Sequence, residues 1–162
     1  MKRTLIVVVL LLGGYLAAFG QEFERMVFTA EDGTQLNYRL LRPAETAKAK
    51  KFPLIIFLHG LGERGTDNDR QLTWGGNMFL NPVNMEKYPA YVLFPQCPET
   101  AFWAYKDIPA SYDALDAEEQ MPAPFKAVKE MIDTYLTYPD IDRSRVYIMG
   151  LSMGGMATYD MV

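Results

Sequence analysis

Apolar residues fall along this chain in three patterns, and each predicts a different element. Residues 25–30 and 35–41 read as two strand-like runs on either side of Glu31-Asp32-Gly33-Thr34. Asp-Gly between such runs is a hairpin signal, because glycine reaches positive φ without a steric penalty. Pro53-Leu54-Ile55-Ile56-Phe57-Leu58 is instead continuously apolar, the pattern of a strand covered on both faces. Residues 91–94 and 145–149 look like two more such strands. The third pattern has a helical period: Phe125, Val128, Ile132, Tyr135 and Leu136 share one face, while Lys126, Lys129, Glu130 and Asp133 fall away from it. Pro122 and Pro124 suit the first turn of that helix, and Pro139 cannot extend it. Residues 153–162 read as a further helix directly after the last strand.

A leading hairpin followed by strands alternating with helices is an α/β plan, with helices covering a mostly parallel sheet. Two long loops interrupt it, residues 60–89 and 96–122. Loops of this length in a compact domain are more often functional than idle. The second carries Glu99, Asp107, Asp113, Asp116, Glu118 and Glu119 against Lys106, which reads either as a solvated acidic face or as a lid over a site. Residues 44–51 are polar and basic, a connecting loop between the hairpin and the first apolar strand.

Composition narrows the class. With 162 residues, 49% of them hydrophobic and 22% charged, the chain can bury a substantial core. Its net charge of −4 gives no basic footprint for a nucleic acid. Residues 1–20 differ from the rest: Lys2 and Arg3 precede an apolar run from Leu5 to Leu12, and Ala18 and Gly20 supply small residues ahead of Gln21. That layout predicts a secretory signal peptide over 1–20, a secreted or periplasmic protein, and no membrane association after cleavage; the competing reading is a retained membrane anchor. Cys97, the one cysteine, is expected to be a small core residue.

The candidate chemistry sits at two strand ends. Gly150-Leu151-Ser152-Met153-Gly154 follows the last strand and precedes a helix, so Ser152 occupies a sharp strand-to-helix turn whose flanking glycines leave it room. His59-Gly60-Leu61-Gly62-Glu63-Arg64-Gly65 directly follows the strand ending at Leu58. With Thr66 and Asp67 after the second motif, and the run Asp142-Arg143-Ser144 ahead of the last strand, these segments resemble the N-terminal part of an α/β-hydrolase. They look close to those of secreted esterases and predicted peptidases of the polyhydroxybutyrate-depolymerase and feruloyl-esterase kind. The resemblance spans residues 24–162 and is specific for fold and chemistry rather than for substrate.

That resemblance implies residues 21–162 are an incomplete α/β-hydrolase domain, ending soon after the nucleophile elbow. It implies Ser152 as the nucleophile, with the backbone N–H of Leu61 or Gly62 and that of Met153 as the oxyanion hole. In such enzymes the triad runs Ser, then Asp or Glu, then His, which places acid and base beyond Val162. His59, the one histidine, is then a brace for the oxyanion loop, the alternative being the base itself. Glu63 and Arg64 are read as loop braces, with substrate contact as the alternative, and Asp140 and Asp142 as turn or cap residues.

Trp74, Phe102, Trp103 and Tyr105 lie in the long loops, where aromatics either stack on a sugar or aryl group or plug the loop; Trp103 is the one expected to touch substrate. Met149, Met153, Met156 and Met161 around the turn are fillers of irregular space. No metal-ligand spacing, phosphate loop or dinucleotide fingerprint is present, so neither metal nor cofactor is expected. The resulting expectation is a secreted serine carboxylesterase acting through an acyl-enzyme on small or polymer-linked esters, among them carbohydrate or phospholipid-type esters, and inactive as this piece alone. The alternatives are a serine peptidase of the prolyl-oligopeptidase type, or a non-catalytic hydrolase-like binding protein.

Overall fold

The computed structural model describes residues 21–44, 47, 49–104 and 121–161. The signal-peptide reading of 1–20 and the acidic stretch of the second long loop, Tyr105 included, lie outside the described residues. Among the described residues no helix is long and apolar enough to cross a membrane.

Five strands form one sheet: β1 (Glu24–Thr29), β2 (Gln35–Leu41), β3 (Phe52–Leu58), β4 (Tyr91–Pro95) and β5 (Ile141–Gly150), in the spatial order β1-β2-β4-β3-β5. The hairpin β1-β2 closes at Gly33, whose φ of 85° only glycine adopts without strain, and the Gly33 N–H bonds the Ala30 carbonyl at 2.9 Å. β2 pairs antiparallel with β4, whereas β4, β3 and β5 run parallel. The sheet is therefore mixed, with a parallel centre that carries the site and an antiparallel flank contributed by the hairpin.

The continuous apolar runs are explained by two cores. Leu36, Tyr38, Leu40, Leu54, Ile56, Leu58 and Leu93 point to one face, where they meet the buried side of α3 (Ala123–Tyr135) and Met153 and Ala157 of α4 (Met153–Asp160). Leu41, Phe57, Val92 and Phe94 point to the other, against Phe23 and the partly buried Leu72, Phe79 and Leu80. β3 is buried at five of its seven positions, with only Pro53 and Ile55 partly exposed, which leaves little room for a polar residue to be solvated. The helix read from its period is present, and the residues that it buries include Phe125, Val128, Ile132 and Tyr135.

The first long loop is more structured than its sequence suggests. It holds two one-turn 3-10 helices, Leu61–Glu63 and Arg70–Leu72, and two short helices, α1 (Gly76–Phe79) and α2 (Pro82–Lys87). α2 follows from local chemistry: the Asn81 side chain accepts from Val83 N–H at 2.9 Å, and Pro82 supplies a preset φ at the first position.

Candidate active site

The site is built where the parallel strands β3 and β5 end side by side. Leu58 pairs with Gly150, and the Leu151 N–H donates to the Leu58 carbonyl at 3.0 Å, so both loops leave the sheet from adjacent positions. Ser152 then takes φ 51° and ψ −115°. A non-glycine residue held there stores roughly 1–3 kcal/mol of strain, which the surroundings must over-determine.

Two glycines make the turn possible. A Cβ on Gly150 would sit 2.1 Å from the Gly154 carbonyl oxygen, and one on Gly154 would sit 2.0 Å from the Leu58 carbonyl oxygen. The obstacle in each case is backbone, which has no rotamer to yield. Gly155 is different, since its nearest neighbour would be 3.4 Å away, an ordinary contact.

Ser152 occupies the N-cap position of α4, yet its side chain makes no capping bond, and the residue is exposed. A serine at a helix start usually caps with its hydroxyl. Here the unusual backbone turns the hydroxyl away from that use and leaves it available. The first N–H groups of a helix have no intrahelical acceptor, so Met153 N–H is an unspent donor beside Ser152. The one-turn helix Leu61–Glu63 leaves the N–H groups of Leu61 and Gly62 in the same position, and both residues are exposed. This loop lies against the turn: the Cβ position of Gly60 is 3.6 Å from Ser152 Cβ.

His59 is buried and fully committed. Its Nδ1 lies 2.6 Å from the Gly60 carbonyl, which can only accept, and its Nε2 lies 2.9 Å from the Cys97 N–H, which can only donate. The ring is thereby fixed as the neutral Nδ1–H tautomer. Burial lowers its pKa below the ordinary histidine value, outweighing the bond to the Gly60 carbonyl and the Glu63 carboxylate, both of which raise it. Neither nitrogen is free to accept the Ser152 proton, so of the two readings His59 is a brace.

Trp103 corrects the expectation attached to it. It has no exposed surface; its indole N–H donates to the His59 carbonyl at 3.1 Å, and its ring packs on the imidazole at 5.2 Å between centroids. A side chain with no surface presents nothing to a substrate, and Trp103 instead supports the loop from beneath. Arg64 also braces, donating to the carbonyls of Leu61 at 3.2 Å and Ala101 at 2.9 Å with its guanidinium 4.7 Å from the Phe102 ring centre.

Sequence reasoning missed the rest of this scaffold. Gln96 donates to Asp67 Oδ1 at 2.9 Å and accepts from the Asn68 N–H at 2.7 Å, while Asp67 caps the turn through the N–H groups of Asp69 and Arg70. These bonds, the Arg70 N–H first, hold the Asp67 carboxyl below its usual range. The turn-forming string Asp67-Asn68-Asp69 was the available signal. Cys97 is a buried core residue, its thiol pushed up to about 12 by burial. Asp142 accepts from Ser144 N–H at 3.0 Å and pairs with Arg145, a local turn device. An apolar cavity of about 240 Å³, lined by Leu41, Ile55, Phe79, Tyr88 and Val92 among others, includes neither Ser152 nor its loop. No cluster that could hold a metal ion occurs among the described residues.

A strained serine on a strand-to-helix turn, beside a glycine-bearing loop with unspent N–H donors, on a sheet of this order, defines the α/β-hydrolase class. Residues 43–162 match the family model described as phospholipase/carboxylesterase. The chain belongs to that family, whose members are α/β-hydrolases of the esterase type. A solved thermostable esterase is 34% identical, with a TM-score of 0.73 over 86% of this chain and 37% of its own. The fold is shared with the ferulic acid esterase of Anaeromyces mucronatus at 18% identity and TM-score 0.50, covering 83% of this chain and 50% of that one. It is shared also with the acylaminoacyl peptidase of Pyrococcus horikoshii, at 22% identity and TM-score 0.50, covering 86% and 20%. The chain thus spans between a fifth and a half of the length of these proteins. No match was found among curated proteins.

Proposed function

We propose that the complete enzyme is an exported serine carboxylesterase, with Ser152 as the nucleophile that becomes acylated. The observation that carries this reading is the backbone of Ser152 at φ 51° and ψ −115°, with its hydroxyl free of capping. Strain of this kind is retained where it positions a reacting group.

In the proposed reaction the Ser152 hydroxyl attacks the ester carbonyl and gives its proton to a general base, without which a serine hydroxyl is a poor nucleophile. The carbonyl oxygen becomes an oxyanion and is met by the N–H of Met153 and that of Leu61 or Gly62. A single donor of this kind is worth roughly 3 kcal/mol of barrier. The dipole of α4, whose N-terminus lies at Ser152, favours the same negative charge. The alkoxide departs with a proton, leaving the acyl group on Ser152, and water releases it by the reverse sequence. Since the one imidazole of these 162 residues is tied at both nitrogens, the base is supplied from outside them, as the chain order of the resemblance implies.

Esters are favoured over amides because an alkoxide leaves with less protonation than an amine requires. The 34% identity to a thermostable esterase supports the same choice. The experiment compares acetyl and feruloyl esters with matched peptide amides in the complete enzyme. Ester turnover far above amide turnover is expected, and equal turnover would move the assignment to a peptidase.

A further inference from the structure

Ala18 and Gly20 stand where a signal peptidase requires small residues, so the exported reading makes Gln21 the first residue of the mature chain. Gln21 is half-buried. Two residues on, Phe23 is buried, its ring 5.2 Å from that of Phe94, so this end is pinned to the sheet. The Gln21 side-chain amide donates to the Arg42 carbonyl, and Gln21 walls the apolar cavity together with Leu41, Arg42 and Pro43. It also lines the wider groove beside α2, where Lys51, Lys87 and Arg145 stand against the carboxylate of Glu86. Arg42 and Arg145 have carboxylates of their own, Glu24 and Asp142, each at 2.8 Å. The adjacent Glu22 lines a different cavity, with Arg25 and Arg39. Cleavage before Gln21 thus places a new ammonium against apolar surface in a groove that is already cationic, where a neutral end group is favoured.

We propose that Gln21 of the mature chain is a modification site, closing on itself to a pyroglutamyl end; the placement rests on the exported reading and on cleavage before this residue. The freed α-amino nitrogen, in its neutral form, attacks Cδ of the Gln21 side chain. An N–Cδ bond forms, the Cδ–Nε2 bond breaks, and Nε2 leaves as ammonia, carrying one of the protons of the amine. Atoms balance without oxidant, reductant or second substrate. The α-amine titrates at about 8, so the open end is mostly charged at pH 7, whereas the lactam carries no charge. The ring keeps an N–H to replace the lost amide donor at the Arg42 carbonyl, and its methylene groups suit the apolar wall. A chain without an α-amine also offers an aminopeptidase no end to grip.

The test needs no turnover, so it is separate from acylation of Ser152. The 162-residue chain, leader included, is expressed in an exporting bacterial host, and its N-terminal peptide is read by mass spectrometry at harvest and again after incubation at pH 8. Expected is a peptide that begins at Gln21, lighter by one ammonia than the open form, and closed to Edman degradation until pyroglutamyl aminopeptidase removes the ring. Gln21→Ser, cut at the same bond, should keep an open end throughout. A processed chain that begins at Gln21 and stays open through the incubation would overturn the lactam while leaving export standing. An uncut chain, or one that begins at another residue, would overturn the cleavage and the lactam together.

Discussion

The Cys97 backbone N–H donates to His59 Nε2 at 2.9 Å, so the imidazole acts as a bracket between the end of β4 and the loop that follows β3. The bracket works only while the ring is neutral, because a proton on Nε2 would set two donors against each other. Burial lowers the folded-state pKa of His59, so the unfolded chain takes up the proton first as pH falls. Stability is then fully present above the unfolded value near 6.5 and declines as pH drops through the window down to the folded pKa, with a slope of at most about 1.4 kcal/mol per pH unit. Denaturant melts between pH 7.5 and 5 check this, with His59→Phe as the control in which the slope across that window vanishes. The same variant leaves the Cys97 N–H unpaired and should lose about 1–3 kcal/mol at pH 7.5.

Gly154 and Gly155 are adjacent and predict opposite outcomes. Gly154→Ala drives a methyl to 2.0 Å from the Leu58 carbonyl oxygen, and the cost should exceed about 3 kcal/mol, beyond ordinary overpacking, because only backbone movement relieves it. Gly155→Ala meets nothing closer than 3.4 Å and removes a glycine from a helix, so it should be neutral or stabilising by up to about 1 kcal/mol. Thermal melts of the two variants separate these cases, and equal destabilisation would contradict the turn geometry.

Ser152→Gly should stabilise the fold while abolishing any acylation. Glycine adopts φ 51° and ψ −115° with little strain, so a gain of about 1 kcal/mol is expected, raising Tm by roughly 2–4 °C in a chain of this size. Ser152→Ala relieves nothing and should match the wild type. A Ser152→Gly variant less stable than Ser152→Ala would mean that the serine is not held under strain.

β5 lies at the end of the described sheet, and Tyr147 and Met149 on it are 51% and 38% exposed. An apolar edge of this kind recruits further strands. Tyr147→Lys should therefore reduce self-association of the 162-residue chain in sedimentation velocity without changing its circular dichroism. No reduction would assign any association to another surface.

The sequence made the strands legible because burial on both faces demands an unbroken apolar run, as in β3, and made the turn at Ser152 legible because its glycines are dictated by backbone contacts. What it could not convey was direction. Trp103 and Trp74 are equivalent in a sequence as loop aromatics, yet one lies beneath the His59 carbonyl and the other faces solvent. His59 likewise reads as base or brace until the positions of the Gly60 carbonyl and the Cys97 N–H decide it. α1 and α2 were hidden because four- and six-residue helices carry no period, leaving the Asn81-Pro82 cap as the only signal.

The central claim, that Ser152 is the acylated nucleophile, is tested most directly by treating the complete enzyme with a fluorophosphonate and locating the adduct by peptide mass spectrometry. The account predicts a single stoichiometric label on Ser152, absent from Ser152→Ala together with all ester turnover. A label on any other residue, or ester turnover that survives Ser152→Ala, would contradict it.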